Sequence, residues 1–472
     1  MRYVILAGLL FVALSPFVAT ATESGVESDQ PNVLFIFTDD QRFDTVGALG
    51  NPDIHTPNLD RLVETGFIFR NAYCFGGNGG AVCIFSRNMA MSGRNFFRFH
   101  DAQGRNSNYA EPELPTFPKS MSAAGYETYY AEKSGAANLR DIRLQFDYHT
   151  DIHMVNNLRT GYAARTTIDG AIEYLDETRD DSKPFFMYLG LPCPHDPRWS
   201  AQEFRDMYDQ SALPLPPNYL PLHPFDNGEM TVRDESLEVW PRTEDAIRRH
   251  LFDYYSLITC MDADIGRLLD RLDQLELTQD TIIVFSSDQG LAMGSHGLMG
   301  KQNIYEDTMK VPLIFSGPGI PRGETDALTY LHDIYPTICD MVGADMPEGV
   351  DGLSLDGIIE GKASGVRDTI FLAYRDFQRS IRDERWKLIR YPQINRTQLF
   401  DLVADPRETN DLASDPTYAP QIERLMDLLA AEQKLHGDLL PLTSENPSSG
   451  QFDAPAPRRT AYPAGGLAPG AP

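Results

Sequence analysis

Residues 32–40, Asn32-Val33-Leu34-Phe35-Ile36-Phe37-Thr38-Asp39-Asp40, decide the fold. Five apolar, β-branched or aromatic residues follow one another without a polar break, so a strand here shows water on neither face. A strand of that kind has to be covered on both sides, as in a parallel sheet between helices. The same texture returns at residues 185–189 (FFMYL) and 281–285 (TIIVF), and more briefly at 312–315. Ahead of the third run, Ile247, Leu251, Tyr254, Ile258, Met261, Ile265, Leu268, Leu272 and Leu275 recur in steps of three and four. That is the period of a long helix with one apolar face. Helix then buried strand, repeated, predicts the α/β class: a three-layer α/β/α sandwich around a large mixed, mostly parallel sheet.

Working outward, the texture changes after about residue 365. Short strand-like runs at 369–373, 385–390 and 398–401, then a helical stretch near 422–433, predict a smaller C-terminal antiparallel-sheet α+β subdomain over 366–443. The main domain spans 30–365. Residues 444–472, rich in Pro, Ala, Gly and Ser, read as a disordered tail. The proline-rich segment 213–235 reads as a surface excursion or a lid. At the start, Arg2, an apolar run and Ala19-Thr20-Ala21 make residues 1–21 a cleavable signal peptide. The expectation is an exported chain, periplasmic or secreted, with no membrane insertion after signal cleavage. The formal net charge of −27 argues against nucleic acid and anionic lipid as partners. An anionic substrate would need a local basic pocket. None of the five cysteines stands in a CxxC pair, so no cysteine zinc site is expected. Any pairing among Cys74, Cys193, Cys260 and Cys339 is left open.

Chemistry-bearing residues gather at strand ends. Asp39 and Asp40 follow the first buried strand and Asp288 and Gln289 follow the third, where open α/β sheets collect their ligands. Three carboxylates and an amide oxygen at one sheet edge repel unless a cation joins them. Hard oxygen donors suit Ca²⁺ or Mg²⁺. Residues 79–94 (GGAVCIFSRNMAMSGR) set Cys83, Ser86 and Arg87 at a helix start that could receive an anion. Lys133, His195 (in PCPHDP) and Lys301 (in GSHGLMGK) supply further positive or titratable groups. The Lys301 loop has the wrong glycine spacing for a nucleotide phosphate loop, and Gln302 stands where Ser or Thr is needed.

Together these pieces resemble the formylglycine-dependent sulfatase family of the alkaline phosphatase-like superfamily. The likeness runs from Asn32 to about Asp411 through NVLFIFTDDQR, C-x-F-S-R-x4-S-G-R, GYET with Lys133, KPFFMYLGLPCPHDP, IIVFSSDQG, HGLMGKQNIYED and RWKLI…QLFDLVADPRETNDL. The resemblance implies hydrolysis of sulfate esters, on a carbohydrate or polysaccharide fragment, by formylglycine made from Cys83. It implies one Ca²⁺ on Asp39, Asp40, Asp288 and Gln289, with Arg87 fixing the modified residue. Lys133 and Lys301 would bind sulfate, and His195 would protonate the leaving group. The implied partners are a sulfated small molecule or glycan and a formylglycine-generating or anaerobic maturase enzyme. Three positions depart from the family pattern. Phe85 replaces a proline, Gly135 replaces a histidine in Lys-x-His, and Gln289 replaces Asn or His. Asn138, His149 and His153 are candidates for the missing histidine's work. The competing readings are a phosphoester hydrolase on the same scaffold and a catalytically inactive binder of sulfated glycan.

Overall fold

The computed structural model describes residues 30–99, 116–133, 142–152 and 160–455. The expected signal peptide, Ser134, Gly135, Asn138 and His153 lie outside the described residues. Among the described residues, no helix is long and apolar enough to cross a membrane.

The large sheet contains β1 (Asn32–Asp39), β2 (Phe67–Tyr73), β4 (Glu127–Lys133), β5 (Tyr148–Ile152), β6 (Phe185–Pro194), β7 (Thr281–Ser287), β8 (Lys310–Val311), β9 (Leu313–Ser316) and β10 (Gly323–Tyr330). Its order is β10-β2-β9-β7-β1-β6-β4-β5, with β8 paired to β2. β1 lies parallel to both β6 and β7, and β4 is parallel to β5 and β6. β9, the shortest of the predicted runs, is antiparallel to β7 and β2, so the sheet is mixed as expected.

The reason for the uninterrupted apolar letters is visible in β1. Val33, Phe35 and Phe37 enter one buried cluster and Leu34 and Ile36 the other, one on each face of the sheet. Fully burying each such side chain is worth about 1.5–3 kcal/mol, which makes register slippage of this strand prohibitive. The second cluster is closed by the helix Glu244–Gln274, whose Ile247, Leu251, Tyr254, Ile258, Ile265 and Leu268 are all buried. Thr243 caps its start by accepting from the Ala246 N–H at 3.2 Å.

The smaller sheet is β14-β13-β12-β11-β3, from β11 (Ile370–Tyr374), β12 (Gln378–Arg382), β13 (Trp386–Tyr391) and β14 (Arg396–Asp401), antiparallel among themselves. Its fifth strand comes from elsewhere: β3 (Gly76–Gly77) pairs parallel to β11. The glycine loop ahead of Cys83 is thus anchored on the C-terminal sheet. The helix Ala419–His436 packs on this sheet through Leu425 and Leu429.

One expectation changes in part. Residues 444–455 are not a free tail: Ser448 N donates to Gln393 O at 3.0 Å, and the Phe452 ring lies 5.7 Å from that of Trp240. A few specific anchors hold a segment whose composition alone reads as disordered. The proline-rich segment runs over the surface as expected and is pinned at several points. Leu220 N donates to Gly294 O, His296 N to Asn218 O, and Asn218 Nδ2 reaches Asp307 at 2.7 Å.

Candidate active site

β1, β4, β6 and β7 end level with one another, because their parallel register carries Thr38 opposite Ser287, Asp39 opposite Pro194 and Glu132 opposite Gly190. The residues that follow those ends therefore meet. One ligand atom from each of Asp39, Asp40, Cys83 and Asp288 lies within 4.8 Å of the others, and all four residues are buried. Asp40 takes a left-handed backbone conformation, φ 70°. Its N–H and that of Gln289 donate to Asp288 Oδ1 at 3.0 and 2.8 Å.

Cys83 enters this group from the first turn of the helix Val82–Ser92. Its sulfur donates to Asp39 Oδ1 at 3.2 Å and receives Lys301 Nζ at 2.8 Å and Gln289 Nε2 at 3.1 Å. Burial first, and then the charge of Asp39, push the thiol well above its ordinary range despite Lys301. A reactive cysteine needs a stabilised thiolate, and these surroundings disfavour one.

Phe85, two residues on, is accommodated by glycines. A Cβ at Gly77 or Gly79 would lie 3.0 or 3.1 Å from its ring. The ring itself is buried, edge-on to Phe96 at 5.6 Å.

Arg87 lies four residues after Cys83, on the same helix face. Its guanidinium is fully buried and meets several protein groups. Nε donates to Asp288 Oδ2 at 3.1 Å, Nη1 to Glu132 and to Tyr188 Oη at 3.2 Å, and Nη2 to Thr38 O at 3.3 Å. Asp39 Oδ2 lies 3.5 Å from Nη2. Glu132, a residue the sequence reading passed over, is 1% exposed and also accepts from Tyr130 Oη at 2.6 Å.

The other cations converge on the same cluster. Lys133 pairs with Asp39, and Lys301 with Asp40 at 2.7 Å. Burial favours the neutral form of Asp39, but Lys133, then His195 and Arg87, hold its carboxyl well below the usual range. Asp288 moves the other way, to about 7, because burial and the Asp39 charge outweigh Arg87. His195 Nδ1 lies 2.7 Å from the carbonyl of Asp196, which can only accept, so Nδ1 carries a proton. Nε2 then faces the cluster, 3.8 Å from Asp40 Oδ2. His149 does not join: it is exposed, mid-strand in β5, opposite Tyr130.

The donor set suits a hard cation. Gln289 Oε1 is buried with no hydrogen-bond partner, while its amide nitrogen meets Asp40 Oδ1 at 2.6 Å and Cys83. The two ends of an amide have nearly the same shape. Reversing this one aims the orphaned oxygen at the carboxylates, and an all-oxygen cluster of three carboxylates and an amide suits a hard cation such as Ca²⁺ or Mg²⁺.

The chain is 26% identical to N-acetylglucosamine-6-O-sulfatase of Bacteroides thetaiotaomicron, over 91% of each chain. It is 27% identical to an ulvan-active sulfatase of Formosa agariphila, over 83% of this chain and 79% of that protein. A solved structure of a protein in complex with its substrate D-glucosamine-2-N,6-O-disulfate superposes with a TM-score of 0.73 at 24% identity, covering 88% of this chain and all of that one. The phosphonate monoester hydrolase of Silicibacter pomeroyi shares the fold at a TM-score of 0.70 and 23% identity, over 87% and 96% of the two chains. Residues 294–435 match the C-terminal family of N-sulphoglucosamine sulphohydrolase. Residues 31–344, which hold every strand of the large sheet and all of the clustered acids and cations, match the sulfatase family, and this chain belongs to that family of sulfuric ester hydrolases.

Proposed function

We propose that the protein hydrolyses sulfate esters on a carbohydrate, using Cys83 after its conversion to formylglycine and one Ca²⁺ bound by Asp39, Asp40, Asp288 and Gln289. The observation that carries this reading is the placement of Cys83. Its sulfur sits inside a ring of carboxylates that disfavours a thiolate, yet touches Lys301 at the point where the strand ends meet. A cysteine so placed is unsuited to thiolate chemistry and well placed as the precursor of another nucleophile. The hydrated aldehyde would supply that nucleophile and the cation would neutralise charge on the sulfate oxygens.

The chain's own side chains do the rest. Lys133 and Lys301, each beside a carboxylate, form a local basic pocket in an acidic protein, and would neutralise the sulfate oxygens as charge builds in the transition state. Arg87 braces Asp39 and Asp288 from beneath. His195, with its Nδ1 proton held by a carbonyl, presents Nε2 toward the cluster, and in the doubly protonated imidazolium form would pass the Nε2 proton to the leaving oxygen. The carbohydrate substrate class is supported by the relatives named for N-acetylglucosamine-6-O-sulfate and ulvan. The signal-like residues 1–21 support export, and a dedicated maturase would act on Cys83.

Peptide mass spectrometry tests the reading. Active protein should show a loss of about 18 Da at Cys83, as the CH₂SH side chain becomes CHO. Full activity in protein with an unmodified thiol at that position would overturn it.

A further inference from the structure

A connected polar chain runs around the mouth of this site, and one residue joins its halves. Asp196, 5% exposed, lies beside His195, with Oδ1 3.6 Å and the backbone oxygen 2.7 Å from Nδ1. Arg233 grips the Asp196 carboxylate with both terminal nitrogens, Nη1 at 2.6 Å from Oδ1 and Nη2 on Oδ2. The same Nη1 lies 2.8 Å from Oδ1 of Asp234. Asp234 Oδ2 accepts from Gln302 Nε2 at 2.6 Å, and Gln302 Oε1 accepts from the backbone N–H of Lys301 at 3.1 Å. Gln302 Nε2 also donates to Gly80 O at 2.9 Å, in the loop ahead of Cys83.

We propose that Arg233 is a positioning residue. Acting through Asp196 on His195 and through Asp234 and Gln302 on the Lys301 loop, it sets these two groups at their working separation. An exposed ion pair by itself contributes little, and the Arg233 side chain is 58% exposed. Its partners are different: Asp196 and Asp234 are buried carboxylates brought together by one guanidinium. Without it they repel each other, and a displaced Asp196 carries with it the backbone oxygen that fixes the His195 imidazole. A two-nitrogen grip on a carboxylate sets angle as well as distance. Supporting shells of this kind commonly hold a reacting group to the tolerance its chemistry requires. The proline-rich segment 213–235 thereby has a task, since it is the part of the chain that delivers Arg233 and Asp234.

The proposal rests on the general-acid reading of His195, and the experiment separates the two. Turnover of phenyl sulfate, a poor leaving group, is compared with 4-nitrophenyl sulfate, a good one, using the mature enzyme. His195→Ala should slow phenyl sulfate about 10²-fold and the nitrophenyl ester about tenfold or less. Arg233→Met should show the same skew, about tenfold against under about threefold, and Arg233→Lys should recover part of the loss. The His195→Ala/Arg233→Met double variant should be no more than about threefold slower on phenyl sulfate than His195→Ala alone, because both changes remove one function. Asp196→Asn, close in shape to the parent, should reproduce the skew of Arg233→Met. Equal slowing of both esters by His195→Ala overturns the general-acid reading and this proposal with it. Skewed slowing by His195→Ala beside even slowing by Arg233→Met, or full additivity in the double variant, overturns this proposal alone. If the mature wild-type enzyme turns over neither aryl ester, glucosamine-6-sulfate takes the place of phenyl sulfate, and a loss on it of under about threefold in His195→Ala overturns both readings, whereas such a loss in Arg233→Met alone overturns this proposal.

Discussion

Gly190→Ala is the sharpest test of how the site is held. Glu132 of β4 stands opposite Gly190 of β6, and its side chain lies across the glycine. A Cβ at 190 would sit 2.6 Å from both Cγ and Cδ of Glu132, a separation that real Cβ contacts essentially never show. The backbone has little room to yield, because β6 is bonded on both sides, to β1 and β4. The carboxylate has to leave, and it takes a partner from Arg87, whose side chain is fully buried. Breaking a buried ion pair costs roughly 3–5 kcal/mol. Arg87 keeps Asp288 at 3.1 Å and Tyr188 at 3.2 Å, which places the loss near the low end, about 3 kcal/mol. At roughly 2 °C per kcal/mol for a large chain, the unfolding temperature should fall by about 6 °C. A shifted Arg87 also moves Asp39 and Asp288, so kcat/KM should drop about 10²-fold. Thermal unfolding and sulfate-ester turnover read the two effects. Gly365→Ala is the control, since a Cβ there meets only Arg367 O at 3.9 Å. In a Glu132→Ala background, Gly190→Ala should add little, because the side chain it displaces is gone. Unfolding within about 1 °C of the parent and turnover within about twofold would refute the packing argument.

Two further outcomes are expected. Calcium added to chelator-treated protein should stabilise it, by about 2.7 kcal/mol at a hundredfold excess over Kd, and Asp40→Asn should remove most of the gain. An equal thermal shift in parent and variant would rule out the ligand set. Between the two sheets, Lys387 lies 2.9 Å from Glu306 and 2.8 Å from Glu408. Burial raises the Glu408 carboxyl from 4.5 to about 7, against the pull of Lys387. Between those values the folded protein keeps a proton that the unfolded chain has released, so this group's contribution falls as pH rises through the window and levels off above it. Glu408→Gln removes that dependence and should gain on the parent from pH 5 to pH 8 in urea unfolding. A constant difference between the two would count against the buried carboxyl.

How much of this was legible in the letters depended on what kind of constraint each residue obeys. Strands covered on both faces announce themselves as contiguous apolar runs, so β1, β6 and β7 were readable, as was the helix Glu244–Gln274 from its period. Parallel register then brings strand ends together, and Asp39, Asp40, Lys133, His195, Asp288 and Gln289 share a site because each lies at or just past such an end. β3 was unreadable, because two glycines have no apolar pattern and the strand exists only through its pairing with β11. Glu132 and Gly190 meet only once β4 and β6 are in register, and either letter alone is ordinary. Arg233 sits in a proline-rich stretch without a period, where an arginine reads as solvated charge. The division has a physical basis. Groups that react must be unusual in kind or company, a cysteine among SR…SGR or paired acids after an apolar run, and such combinations survive in one dimension. Groups that hold them need only be the right size and charge at the right separation. That separation is created by folding, so it becomes readable only when Asp196, Arg233 and Asp234 are seen side by side.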